Sequence, residues 1–431
     1  GRARGRGHVK GMTMASTGFA YPNLFGKKVP PPAPRWAGNA KFNFIGGHND
    51  RSLIPVEGLI AATAAVLRRE GADLALYSLA QGPQGYRGLR QFVADKLGRW
   101  RGIDATADDV LITSGSGQGI DLINQVLLEP GDTVILEEFT YGGYLTKLRR
   151  IGVNIVSAPL DEDGIRIDAL GKILDDLKRQ GTTPKYICTI PTIQNPTGSI
   201  MPLERRRQFL ALARDYGVPI FEDECYADLT WGGMDAPPAL YSLDPQHVIH
   251  IGSFSKTLAP ALRLGYVAAD WEFLSRMIAI KSAGDSGTGA LEQMVVAEYF
   301  SQHFEDHVDE LSQALKGKLD TMVEAVAREF GTAAEPWVPK GGIFLWLKLP
   351  DQVDTMKLVQ PALKAGIAFN PGPEWAVDGA AAKSRLRLCF GLTTKEEIRE
   401  GVAAFARVCY EETGIPEQSG NIRHAASRSG H

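Results

Sequence analysis

Two spacings of apolar residues alternate through the middle of this chain. Short apolar runs bounded by glycine or polar residues occur at 110–113, 133–136, 154–157, 186–190, 219–221, 248–251 and 264–268. Stretches with apolar residues three and four apart separate most of them, near 116–127, 142–151, 167–179, 203–216 and 271–282. Further helices are predicted at 58–69 and at 86–100, where Leu89, Phe92, Val93 and Leu97 share one face. Alternation on this scale predicts an α/β fold with a mostly parallel, seven-stranded sheet in a large domain. Ligands bind beyond the carboxyl ends of such strands. Ser116, Asn195, Asp223 and Lys256 all follow the ends of these runs.

After about Ser301 the texture changes to a long helical region near 304–330, apolar runs at 343–347 and 386–390, and a closing helix near 395–412. The predicted division is a large domain at 58–302 and a smaller α+β domain at 303–414, which an N-terminal segment, 21–57, joins. Residues 1–20 open with a basic, glycine-rich run to Gly11 and read as a tag-like or disordered extension, an RNA-binding tail being the other reading. Met12 or Met14 would be a sensible natural start. The polar stretch 415–431 reads as a disordered tail.

Size and composition narrow the function class. The chain has 431 residues, beyond one ordinary core, with 44% hydrophobic and 23% charged residues. A net charge of -3 gives no reason to expect nucleic acid or an anionic membrane as partner. Cys188, Cys225, Cys389 and Cys409 lie far apart, which suggests buried free thiols in a reducing compartment. No apolar run has the length of a membrane span. The expectation is a cytoplasmic protein.

The chemistry clusters in a few motifs. Ser253-Phe254-Ser255-Lys256, with Arg263 seven residues on, ends an apolar strand in hydroxyls, one lysine and an arginine. Hydroxyls and guanidinium can take an anion, while burial beside cations frees the lysine lone pair for Schiff-base chemistry. Gly115-Ser116-Gly117-Gln118-Gly119 opens a helical run and can expose N–H groups to an anion; it is neither a dinucleotide fingerprint nor a Walker loop. Asn195-Pro196-Thr197-Gly198 is a rigid turn able to aim an amide into a cleft. Asp223 at a strand end, with Tyr226 three residues on, can pair with a protonated ring nitrogen while the phenol donates to an oxygen. Taken singly, each has a plainer reading: a surface ion pair, a simple turn, a helix cap. His303 and His307 have metal-ligand spacing but lack the HExxH order and a third ligand, so a solvated helix face is expected and no metal.

In this order and spacing, together with Leu386-Arg387-Leu388, these motifs resemble the pyridoxal-phosphate-dependent aminotransferases of fold type I, class I/II, within them the α-aminoadipate/kynurenine aminotransferase subgroup, over about residues 40–410. The resemblance implies pyridoxal 5'-phosphate as cofactor, Schiff-base-linked to Lys256, which then moves the proton at the substrate Cα. It implies that Asp223 holds the pyridine nitrogen protonated, that Asn195 and Tyr226 bond the ring hydroxyl oxygen, and that Tyr141 stacks on the ring. Ser116, Gly117, Gln118, Ser253, Ser255 and Arg263 would cradle the phosphate. Arg387 would bind the substrate α-carboxylate as a fork, and Gly46-Gly47 would cover the substrate.

Two departures from the family pattern stand out. A tyrosine that reaches the partner subunit's phosphate in relatives falls on Ala80; Tyr77, three residues upstream, is the substitute. After Gly47 the chain reads His48-Asn49-Asp50-Arg51, where Arg51 suits a second substrate carboxylate and Asp50 a basic group, the alternative being an exposed Asp50–Arg51 turn. The implied activity is ping-pong transfer of an amino group from an L-amino acid to a 2-oxo acid, in a homodimer with shared sites. Two rivals remain: a lyase, decarboxylase or oxidase using the same stabilised carbanion, and an effector-sensing regulator, for which only about forty residues precede the fold.

Overall fold

The computed structural model describes residues 20–232 and 236–417; the basic start and most of the polar tail singled out above lie outside them. Residues 20–38 belong to a separate unit with a 3-10 turn at Tyr21–Asn23. The described residues from Asn39 to Glu417 form one compact unit.

That unit is built on a seven-stranded sheet: β1 Val110–Thr113, β2 Thr133–Glu137, β3 Asn154–Ala158, β4 Ile187–Thr189, β5 Ile220–Asp223, β6 Val248–Ser253 and β7 Gly265–Ala268. The order is β1-β7-β6-β5-β4-β2-β3, and β7 alone runs antiparallel to its neighbours. Buried on both faces, the central strands need apolar residues throughout, which is why they read as continuous runs and not as alternations. The helices need only one apolar stripe: Ile167–Arg179 buries Leu170, Leu174 and Leu177 and exposes its charges. Helices at 116–127, 142–151, 167–179 and 203–216 have the predicted bounds.

A second sheet contains β8 Glu335–Trp337, β9 Phe344–Lys348, β10 Asn370–Pro371 and β11 Arg385–Cys389, in the order β8-β9-β11-β10, all antiparallel. Phe42–Asn43 pairs in parallel with Ile367–Ala368, so part of the N-terminal segment does join this region. The boundary expected near 302 falls inside one continuous helix, Ala290–Phe330, which starts well before the predicted 304. Its early residues, Met294 to Phe300, are apolar on almost every side, and that conceals helical periodicity.

Among the described residues no helix is long and apolar enough to cross a membrane, and no group of three or more His, Cys, Asp or Glu could hold a metal ion. His303 is exposed, but His307 is not on a solvated face: it is buried, and its Nε2 lies 2.6 Å from the Thr257 carbonyl oxygen. The four cysteines are free and buried.

Candidate active site

Lys256, Asp223, Tyr226 and Asn195 come at or after the carboxyl ends of strands of the large sheet. Lys256 follows β6. Its Nζ donates to the Gly47 carbonyl oxygen at 3.2 Å and lies 6.0 Å from the Tyr226 ring centroid. Burial, with the Arg387 and Arg263 guanidiniums, pulls the amine down to about 8. A Cβ at position 47 would stand 1.5 Å from Nζ, so only glycine lets the N-terminal segment pass this close.

Asp223 ends β5, and its Oδ1 accepts the Cys225 N–H at 3.0 Å. The strand end is locked on both sides of it. Glu224 accepts two bonds from Arg101, at 2.5 and 2.7 Å, and one from Thr192 at 2.8 Å, while Glu222 meets His250 Nδ1 at 2.8 Å. Tyr226 is buried, edge-on to Phe344 at 5.0 Å. Tyr141 caps the helix Gly142–Ile151 and packs 5.7 Å from Trp375.

Arg387, on β11, is 4% exposed. One arm donates to Asn195 Oδ1 at 2.8 Å, and its Nε and other arm to Asn370 Oδ1 at 3.2 and 3.0 Å. Its plane lies over Trp375, 3.7 Å from the ring centroid. Among the described residues it has no carboxylate partner. A buried guanidinium satisfied only by neutral oxygens is a receptor for an anion.

The residues expected to cradle a phosphate meet where β7 begins beside the start of the helix Ser116–Leu127. Gly115, at φ +78°, turns the chain into the helix and leaves room for Arg263, whose Nη2 would lie 2.3 Å from a Cβ there. Arg263 itself holds φ 54°, which reverses the chain into the antiparallel β7. Helix-start N–H groups at Ser116, Gly117 and Gln118 and this guanidinium suit a phosphate dianion. The Gln118 side chain is otherwise engaged: Nε2 donates to Asp285 at 2.7 Å, and Oε1 accepts from Ser114 N and Lys281 Nζ, both at 2.8 Å. Ser253 Oγ accepts the Ser255 N–H at 3.0 Å.

The polar run after Gly47 divides in role. Asp50 pairs with Lys318 at 2.8 Å and caps Ser52, so it pairs neither with Arg51 nor with open space. Arg51 is exposed, with no acidic partner among the described residues. Two residues here escaped sequence reasoning. Asn49 is buried, and its amide donates to the Ser255 and Leu258 carbonyls at 3.1 and 2.9 Å, clamping the segment to the Lys256 loop. His48 is half-buried, and burial and then the Lys256 charge lower its pKa. Only the break from an apolar run to His48-Asn49 hinted at either. Tyr77 is 89% exposed, and residues 78–80 that follow it all have left-handed backbones.

Comparison with known proteins matches this geometry. Residues 53–405 match the family described as aminotransferase class I and II. The 2-aminoadipate transaminase of Thermus thermophilus is 34% identical over 369 residues, 85% of this chain and 89% of that protein. Aromatic-amino-acid aminotransferase 1 of Thermococcus litoralis is 32% identical over 86% of this chain and 88% of its own. The crystal structure of the Thermus thermophilus α-aminoadipate aminotransferase, complexed with N-(5'-phosphopyridoxyl)-L-leucine, superposes with a TM-score of 0.81 at 30% identity, covering 91% of this chain and 99% of that one.

Proposed function

The chain belongs to the class I and II aminotransferases, a fold type I enzyme that uses pyridoxal phosphate to transfer amino groups, and we propose that the residues assembled above carry that reaction. The family and its relatives point to amino-group transfer and not to the lyase, decarboxylase or oxidase alternative. One observation carries the assignment of roles. A half-buried lysine with a lowered pKa lies near two guanidiniums, Arg387 and Arg263, that lack carboxylate partners among the described residues.

The site fits the cofactor: a helix start and Arg263 for a phosphate, a carboxylate for a ring nitrogen, an amine for a carbonyl. Bound pyridoxal phosphate supplies a carbonyl that condenses with amines and a ring that withdraws electrons from the substrate Cα. The protein's own residues do the rest. Arg387 grips the substrate α-carboxylate with the arms that Asn195 and Asn370 orient. Asn195, its Oδ1 committed to Arg387, keeps Nδ2 to donate, with the Tyr226 hydroxyl, to the ring oxygen. Lys256 would be the base that takes the proton from the substrate Cα and holds it on Nζ. Asp223 accepts the ring N–H, Tyr141 covers the ring, and Ser116, Gly117, the Gln118 backbone, Ser253, Ser255 and Arg263 hold the phosphate.

A homodimer with shared sites completes the reading, supported by the exposure of Tyr77, which would reach the partner's phosphate in place of the residue absent at Ala80. The two-lobe division at 58–302 and 303–414 and a cytoplasmic location belong to the same proposal. Arg51, free of acidic partners among the described residues, would read a second carboxylate; the Thermus relative is named for 2-aminoadipate. Equal effects of Arg51→Ala on dicarboxylic and neutral donors would remove that role. Borohydride reduction of the holoenzyme followed by peptide mass analysis tests the anchor: a phosphopyridoxyl group on Lys256 supports it, and one on another lysine contradicts it.

A further inference from the structure

Asp223 has a partner that no motif announced. Tyr144, one turn into the helix Gly142–Ile151 and fully buried, donates its phenol hydrogen to Asp223 Oδ2 at 2.5 Å. The Cys225 N–H meets the other oxygen, so the carboxylate is pinned from two sides. Tyr144 is fixed in turn, edge-on to Phe221 of the same strand and to Tyr141, both at 5.6 Å. Burial first, then the Asp223 charge, hold the phenol protonated well above its usual range, so it acts as a donor. The acid, thiol and phenol groups facing this carboxylate carry little charge near neutral pH; the cations of the site near them are Lys256, Arg263 and Arg387. Burial pushes Glu137 on β2 up to about 8 and raises Cys188 on β4 and Cys225, together with the phenols of Tyr141 and Tyr226.

We infer that Tyr144 is a positioning residue for the cofactor: its phenol fixes the plane of the Asp223 carboxylate, so that the carboxylate is ready for the ring N–H. A short O–H···O bond to a carboxylate is charge-assisted and directional, the kind that orients a group before its ligand arrives. Without the phenol, the buried carboxylate loses a donor, and its plane is held only by the Cys225 N–H.

This inference rests on the cofactor reading above, and one titration separates the two. Cofactor-free wild type and Tyr144→Phe are titrated with pyridoxal phosphate and with an analogue that has carbon in place of the ring nitrogen, alongside far-UV circular dichroism. Wild type that fails to bind pyridoxal phosphate overturns the underlying reading. With wild type binding, Tyr144→Phe is expected to bind pyridoxal phosphate about tenfold more weakly, the worth of one hydrogen bond to a charged group, and to bind the analogue as wild type does. Unchanged affinity for pyridoxal phosphate overturns the inference, and so does an equal loss for the analogue, which marks packing alone. Should Tyr144→Phe not fold, Tyr144→His offers an N–H from the same backbone position. Affinity close to that of wild type supports the inference; a loss of about tenfold or more, the worth of the same hydrogen bond, in a folded protein overturns it.

Discussion

Arg387 and Asn195 meet at 2.8 Å, guanidinium to amide oxygen, although 192 residues separate them in the chain. The bond ties the second sheet to the turn after β4 and orients the cation proposed to take the substrate carboxylate. Because the guanidinium is buried with only neutral partners, its anion-binding capacity is unspent. Replacing Arg387 by Ala should lower kcat/KM about 100-fold or more, the cost of removing one partner of a desolvated charge pair. Arg387→Lys should recover little, since an ammonium cannot present the same fork. Steady-state kinetics with one amino donor decides it.

The Lys256 amine carries a pH signature. Its pKa is about 8 in the folded protein, against about 10.4 in an unfolded chain. Between those values the unfolded state binds more protons, so this group's contribution to stability rises with pH across that window. Below about 8 the folded state bears the full cost of a partly desolvated ammonium. Cofactor-free Lys256→Met should therefore gain stability at pH 7, on the order of 1–2 kcal/mol, and gain much less near pH 10.5. Denaturant titrations at the two pH values measure the difference; an equal gain at both removes the account of the shift.

Asn49 and Gly47 make the N-terminal segment part of the site. Asn49→Ala would leave the Ser255 and Leu258 carbonyls without its amide, a cost of roughly 1–3 kcal/mol. The expected result is a lower unfolding temperature together with weaker cofactor binding. Gly47→Ala should fold yet impair the site, because its methyl group falls on the Lys256 amine. A Gly47→Ala enzyme with wild-type kinetics would show that the segment moves away when substrate binds.

Tyr77 tests the shared site. If its hydroxyl reaches a partner's phosphate, Tyr77→Phe weakens pyridoxal phosphate binding several-fold, on the scale of one charge-assisted hydrogen bond, while leaving the sedimentation coefficient of the dimer unchanged. Cofactor affinity identical to wild type would assign that contact elsewhere.

Much of this was legible before any coordinates. The sheet could be read because doubly buried strands leave unbroken apolar runs, and Lys256, Asp223 and Asn195 because such sheets place ligands at strand ends. What stayed hidden depends on contacts distant in sequence. Tyr144 looks like an ordinary helix residue until Asp223, 79 residues on, is placed beside it. His307 sits in a charged stretch yet packs on the Lys256 loop. Asp50 found Lys318 and not its neighbour Arg51, because the buried lysine needed a counter-charge and the exposed arginine did not. The start of the long helix was missed where it is buried on most sides.

The central claim is that this site moves an amino group onto the protein-bound cofactor and off again. The most direct test is the visible spectrum of purified holoenzyme, first with a panel of L-amino acids and no oxo acid, then with a 2-oxo acid added. The account predicts a yellow band that bleaches with some donors, one equivalent of new oxo acid per site, and recovery of the band on adding the acceptor. A band that persists with every donor, or that changes with release of ammonia or carbon dioxide or uptake of oxygen, would contradict it.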